Sequence, residues 1–214
     1  MKKKKVMLSF HGDKKVKAQH IARLKAHYKA DEIIQGTYWE NGKGCDTGCS
    51  FHSNDHSLWA TELGIPEQIG YLRDKIFEGL PAKDAKEFPL QCSLATPVGV
   101  DLDHVWRKFM IWLLTDKKEG VIKYANTEAI KKCINDVSKL YADSLVRDVS
   151  SDKWAAAGAA AWAARDAARD AWAAGAAGAA WAAEAAEAAG AAWAARDAYY
   201  IRAADKLIEL IKAA

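Results

Sequence analysis

The chain has 214 residues, half of them apolar, and 31 Lys and Arg against 28 Asp and Glu give a formal net charge of +3. That length supports one sizeable core or two small ones without disulfide staples. Four of the positive charges are Lys2 to Lys5, which leaves the remainder close to neutral and excludes a broad basic face for nucleic acid.

The basic start runs into Val6-Met7-Leu8-Ser9-Phe10, an apolar stretch that ends at His11-Gly12-Asp13 and is too short for the apolar region of a signal peptide. Cys45, Cys49, Cys92 and Cys133 form no regular disulfide framework, so a reducing compartment and a cytoplasmic location are expected. From Lys14 to Gln35, Val16, His20, Leu24, His27, Asp31 and Ile34 fall on one helical stripe, three of the six titratable. Asn54 or Asp55 caps a short helix that stops at Gly64, and Pro66 suits the start of the next, through Leu72, Ile76 and Phe77 to Gly79. Asp101 or Asp103 caps a helix with Val105, Phe109, Met110, Trp112 and Leu113. Asn126 and Glu128 open an amphipathic one with Ile130, Ile134, Val137, Tyr141 and Leu145. Val6 to Phe10 and Val121-Ile122 are the two segments with any strand character. The predicted fold is all-α, a helical body followed by an Ala/Trp-rich helical hairpin or long helix.

Composition changes abruptly at Ser150-Ser151: all four prolines lie before it, and half of the 64 residues after it are alanine. The expected organisation is therefore a body of residues 1–150 and a packing or oligomerisation segment of residues 151–214. From Trp172 to Arg196 every third residue varies between Ala-Ala pairs. A period of three advances about 300° per step on an α-helix, so the variable residues spiral around the rod and define no single face. Close packing against more than one neighbour follows, with a bend expected at Gly175-Ala176-Ala177-Gly178 and association with another copy or a protein partner. The longest uncharged stretches, Trp154 to Ala164 and Ala171 to Ala183, are too short to span a membrane.

Chemistry concentrates in the run GKGCDTGCSFHSNDH, where Cys45, Cys49, His52 and His56 fall within twelve residues. If that run were one helix, the four would share a face within about 60° but extend along roughly 16 Å, too far for one ion. Neighbouring pairs at most would then share a metal, with ligands added from His11, His20 or His27; if instead Asn41 to Thr47 were a loop and the helix began near Asn54, all four would be able to surround one tetrahedral zinc or iron. The same residues also suit nucleophilic catalysis. Gly42-Lys43-Gly44 precedes Cys45, and a helix starting after Gly44 would aim N–H groups at the thiol. Lys43 adds positive charge, and both influences favour the thiolate. A histidine with Asp55 or Glu40 then supplies a base and its orienter; His56 is taken for that role, but on a straight helix it and His52 lie too far along to touch Cys45, which makes His11, His20 and His27 the alternative partners. Cys92 and Cys133 read as buried apolar residues.

The runs His11-Gly12-Asp13, Gly42-Lys43-Gly44-Cys45, Gly48-Cys49, His52-Ser53-Asn54-Asp55-His56, Glu62-Leu63-Gly64-Ile65-Pro66 and Phe77-Glu78-Gly79-Leu80-Pro81 together resemble a family of uncharacterised bacterial and phage proteins. The resemblance covers roughly residues 8 to 115. It implies a bacterial or phage origin and a tail that is a separate appendage, and it carries no activity with it. No P-loop or dinucleotide fingerprint is present, since Gly42-Lys43-Gly44 has neither the spacing nor the preceding strand.

Three expectations follow. The foremost is thiol-dependent group transfer or hydrolysis on a small or acyl-type substrate, with Cys45 as nucleophile and His56, Asp55 and Lys43 assisting. The second is a zinc or iron site made by Cys45, Cys49, His52 and His56. The third is a non-enzymatic assembly protein acting through residues 151–214.

Overall fold

The computed structural model describes residues 6–125, 127–159 and 185–214. Among them the fold is all-α, with one short hairpin. The helices are α1 (Lys14–Lys29), α2 (Asp46–Phe51), α3 (Ser57–Leu63), α4 (Glu67–Gly79), α5 (Ala82–Ala95), α6 (Asp103–Thr115), α7 (Glu128–Ser144), α8 (residues 151–159) and α9 (Ala185–Lys212). Strands β1 (Trp39–Glu40) and β2 (Lys43–Gly44) pair antiparallel, Trp39 opposite Gly44. No described helix is long and apolar enough to cross a membrane.

Several boundaries follow directly from capping chemistry. Asp13 accepts from the Lys15 amide at 2.7 Å and starts α1. Asp55 accepts from the Ser57 amide at 2.8 Å, α3 ends at Gly64 in the left-handed region, and Pro66 stands before α4. Other expectations need correction. The first helix stops at Lys29, and Asp31 at φ 58° turns the chain outward, so Asp31 leaves the stripe and pairs with Lys86 at the surface. Ser9–Gly12 and Val121–Tyr124 are 3-10 turns, where strands were the alternative. Ala82–Ala95, for which the sequence predicts no element, forms α5 with Pro89 in its interior.

Packing divides the chain into one unit of Met1–Trp106 with Ala194–Ala214 and a second of Arg107–Trp193. In the first, α1 lies against α5 and α2, and α4 lies against α2, α3 and α5. Its core holds Phe10, Leu24, Trp59, Ile69, Phe77, Phe88 and Leu102. The end of α9 belongs to this core: Ala203, Ala204, Leu207 and Ile211 are buried, and the Tyr200 ring lies where a Cβ on Gly79 would stand. About the last three turns of α9, from Tyr200 to Ile211, are therefore structural members of this unit. Leu207→Ala is expected to cost about 2–5 kcal/mol, read as a lowered urea midpoint.

In the second unit Thr127 caps α7 by accepting from the Ile130 amide at 3.2 Å. Lys132–Asp136, Lys139–Asp143 and Arg147–Asp143 line its outer face, and Tyr141 meets Trp154 of α8 with ring centroids 4.9 Å apart. The expected bend at Gly175 to Gly178 and most of the Ala-Ala-X repeat lie outside the described residues.

One buried histidine ties the body's stability to pH. His20 donates to Ser93 Oγ at 3.0 Å, and burial, followed by the charges of Arg73 and Arg23, holds it down to about 3. Its unfolded counterpart titrates near 6.5. Between those values the unfolded state binds the extra proton, so stability falls as pH drops from about 6.5 toward 3, by up to about 1.4 kcal/mol per unit. His20→Asn is expected to flatten the acid limb of a urea-midpoint profile.

Candidate functional site

The site is built by a tight turn and a tight contact. Asn41 and Gly42, at φ 51° and 79°, form the two-residue turn between β1 and β2, the conformation that Asn-Gly favours in hairpins. The chain then enters α2 with Cys45 in extended geometry at its N-cap. The Cys45 amide donates to the carbonyls of Thr37 and Tyr38 at 2.9 and 3.2 Å. A Cβ built on Gly44 would stand 1.9 Å from the Tyr38 carbonyl oxygen, and one built on Gly48 would stand 1.4 Å from it. Glycine at both positions therefore lets the hairpin backbone lie directly on α2, which fixes where Cys45 points.

Cys45 points at Asp74. Its Sγ lies 3.8 Å from Asp74 Oδ1, which also accepts from the Thr47 amide at 3.2 Å and from Thr47 Oγ1 at 3.0 Å. The other carboxylate oxygen, Oδ2, accepts from His56 Nε2 at 2.5 Å. Trp59 Nε1 donates to Thr47 Oγ1 at 3.0 Å and holds the hydroxyl. The His56 ring stacks on Tyr71 at 4.1 Å and meets Tyr38 edge-on. A cavity of about 220 Å³ opens onto this cluster, lined by Gly36, Thr37, Tyr38, Cys45, Asp74 and Glu78.

The carboxylate thus sits between thiol and imidazole. Burial and then the Asp74 charge push the Cys45 thiol well above its ordinary value, and hydrogen bonds from the Gly48 and Thr47 amides only partly oppose this. The expectation of a depressed thiol is therefore reversed: the helix start is where it was predicted, but the amides and Lys43 lose to burial and a neighbouring anion. Lys43 stands exposed on β2, and Asp55 spends its carboxylate on the Ser57 amide at the surface. Neither touches the thiol, so of the four expected catalytic residues Cys45 and His56 share a centre and Asp55 and Lys43 do not.

Beneath this centre lies a buried ion pair. Arg73 Nε and Nη2 donate to the two oxygens of Asp46 at 2.7 and 2.9 Å, and both side chains are fully buried. Arg73 Nη2 also reaches the Pro89 carbonyl and Ser93, and its guanidinium lies 4.3 Å from the centroid of Trp59. Burial pushes the Asp46 carboxyl upward and the guanidinium works against it.

The remaining members of the sequence cluster go elsewhere. Cys49 is buried with Sγ 3.2 Å from the Gly44 carbonyl, and burial pushes it up to about 12. His52 closes α2 at φ 55°, stacks on Trp39 at 4.1 Å and brings Nε2 to 3.0 Å from His27 Nε2. His27 donates from Nδ1 to Glu32 at 2.6 Å. Among the described residues no three His, Cys, Asp or Glu side chains converge as ligands of one ion. The expected zinc or iron set of Cys45, Cys49, His52 and His56 is therefore dispersed, because α2 spans only Asp46–Phe51 and the left-handed turn at His52 sends the two histidines to different neighbours. His20, His27 and Asp31 likewise form no shared site.

Sequence reasoning missed Asp74, Thr47, Tyr38 and Glu78. The signal for Asp74 was present: Arg73-Asp74 interrupts the apolar positions Ile69, Ile76 and Phe77 on the face of α4 that must be buried. Compared with known proteins, the chain matches no family model, no curated protein and no solved structure.

Proposed function

We propose that the chain is an enzyme of thiol-dependent hydrolysis or group transfer, with Cys45 as nucleophile toward a small substrate of acyl type held in the adjoining cavity. The observation that carries this reading is the Cys45–Asp74–His56 alignment at the cavity wall. Asp74 takes the thiol proton as the Sγ–carbon bond forms, and that proton leaves with the departing group. Water then breaks the Sγ–carbon bond and restores the thiol. His56 is a positioning residue, since its N–H fixes one oxygen of Asp74 while the other faces the sulfur. Thr47 and Trp59 support the same orientation. A bacterial or phage origin belongs to this proposal and rests on the motif runs alone.

The test uses p-nitrophenyl acetate at pH 9, with Asp74 taking the thiol proton. The expected result is a stoichiometric burst of nitrophenolate with an acetyl adduct mapped to Cys45, both lost in Cys45→Ser. Acetylation spread evenly over Cys45, Cys49, Cys92 and Cys133, or a burst that survives Cys45→Ser, would remove the proposal.

A further inference from the structure

We infer that the cavity at Cys45 takes a small planar cation, an amidinium or guanidinium, whose central carbon is the electrophile for the thiol. This rests on Cys45 being the nucleophile and names the substrate class of that same site.

Three observations converge on it. First, at about 220 Å³ the cavity has room for a fragment of a few heavy atoms beside the sulfur. Second, the charged side chains in its lining are Asp74 and Glu78. They stand four residues apart on α4 and so project to one side of the helix. Of the neighbouring basic side chains Arg73 is bound bidentately to Asp46 and Lys75 is exposed on α4 beside Glu78, while His56 holds the far oxygen of Asp74. Glu78 accepts from the Gly36 amide at 2.9 Å, which fixes its carboxylate at the cavity rim. Two carboxylates on one wall supply the negative charge a planar cation requires, and since Thr47 and His56 engage the oxygens of Asp74, Glu78 is the one placed to take its N–H groups.

Third, the chemistry of the resting thiol asks for a positive substrate. Cys45 is 2 % exposed and its proton faces the Asp74 carboxylate. A neutral substrate leaves that field in place, and an anionic one adds to it. A cation bound between Asp74 and Glu78 offsets the field at the sulfur and sets its own electron-poor carbon beside it, so the thiolate forms more readily with this substrate bound. The step balances. Sγ bonds to the central carbon, and the thiol proton passes through Asp74 to the departing nitrogen. The C–N bond breaks and ammonia or an amine leaves. Water then displaces sulfur, giving an amide from an amidinium or a urea from a guanidinium, with the thiol regenerated.

The experiment compares three alkylating probes of similar size on the full chain: 2-chloroacetamidine (cationic), 2-chloroacetamide (neutral) and chloroacetate (anionic). The rate of Cys45 modification is read by peptide mass spectrometry and divided by the rate on N-acetylcysteine at the same pH. The expected result is saturable labelling by the amidine, with a normalised rate about tenfold or more above the amide and chloroacetate slowest. Glu78→Gln, which keeps an oxygen for the Gly36 amide, should bring the amidine-to-amide ratio toward one. Cys45 labelled with no preference for the amidine, or a preference untouched by Glu78→Gln, overturns the cation inference and leaves the thiol proposal standing. Failure of all three probes to label Cys45, while N-acetylcysteine reacts, overturns both.

Discussion

Arg73→Met is expected to destabilise the body by about 3–5 kcal/mol, among the largest effects available to a single substitution here. The guanidinium carries two hydrogen bonds to Asp46 inside a region with no solvent access to either side chain. Methionine fills much of the volume but leaves a fully buried carboxylate without its counter-charge. Against a typical domain stability of about 5–15 kcal/mol that is a large fraction. In urea the midpoint should fall by about 2 M, or the protein should be unfolded at the outset. The double variant Arg73→Met with Asp46→Leu discriminates between mechanisms. If the cost is the stranded charge, removing the carboxylate recovers most of the loss. If the cost is lost packing against Trp59, the double variant is no better than the single. Asp46→Asn, which keeps an acceptor for one N–H, should fall between wild type and Arg73→Met.

Helices with capping residues and 3.6-residue periodicity were legible: α3, α4 and α6 begin within about two residues of Asp55, Pro66 and Asp101 or Asp103, and α7 opens at Glu128 as expected but is capped by Thr127 in place of the expected Asn126. Helix α5 was not, because Pro89 inside it reads as a breaker, yet the proline is accommodated at a buried position. The hairpin was visible only as Asn41-Gly42, since strands of two residues are too short to display alternation. At the site, local sequence brought Cys45 and His56 forward because they are close in the chain. Their shared partner, Asp74, comes from 18 residues beyond His56 on another helix, which no local spacing encodes. Composition misled at the other end of the chain: alanine content marked residues 151–214 as one segment, whereas Leu207 and Ile211 bury like any core pair in the unit that holds the site.

Asp74→Asn should move two properties of Cys45 in opposite directions. Asp74 is the largest charge acting on the thiol after burial itself, and it acts to keep the proton on. Removing that charge lowers the thiol's pKa by about one unit or more. Below the wild-type value each unit is a tenfold gain in thiolate, so alkylation of Cys45 by iodoacetamide at pH 8 should speed up about tenfold. The pH–rate midpoint should shift down accordingly. Cys49 and Cys92, both pushed up to about 12 mainly by burial, serve as internal references that should not change. The nitrophenolate burst should fall in the same variant, because the amide cannot take the proton that the carboxylate takes. A local collapse of the site would depress both readouts or expose all the buried thiols together. Faster alkylation at Cys45 alone, coupled to a lost burst, is the signature of a carboxylate that restrains the resting thiol and relays its proton during reaction.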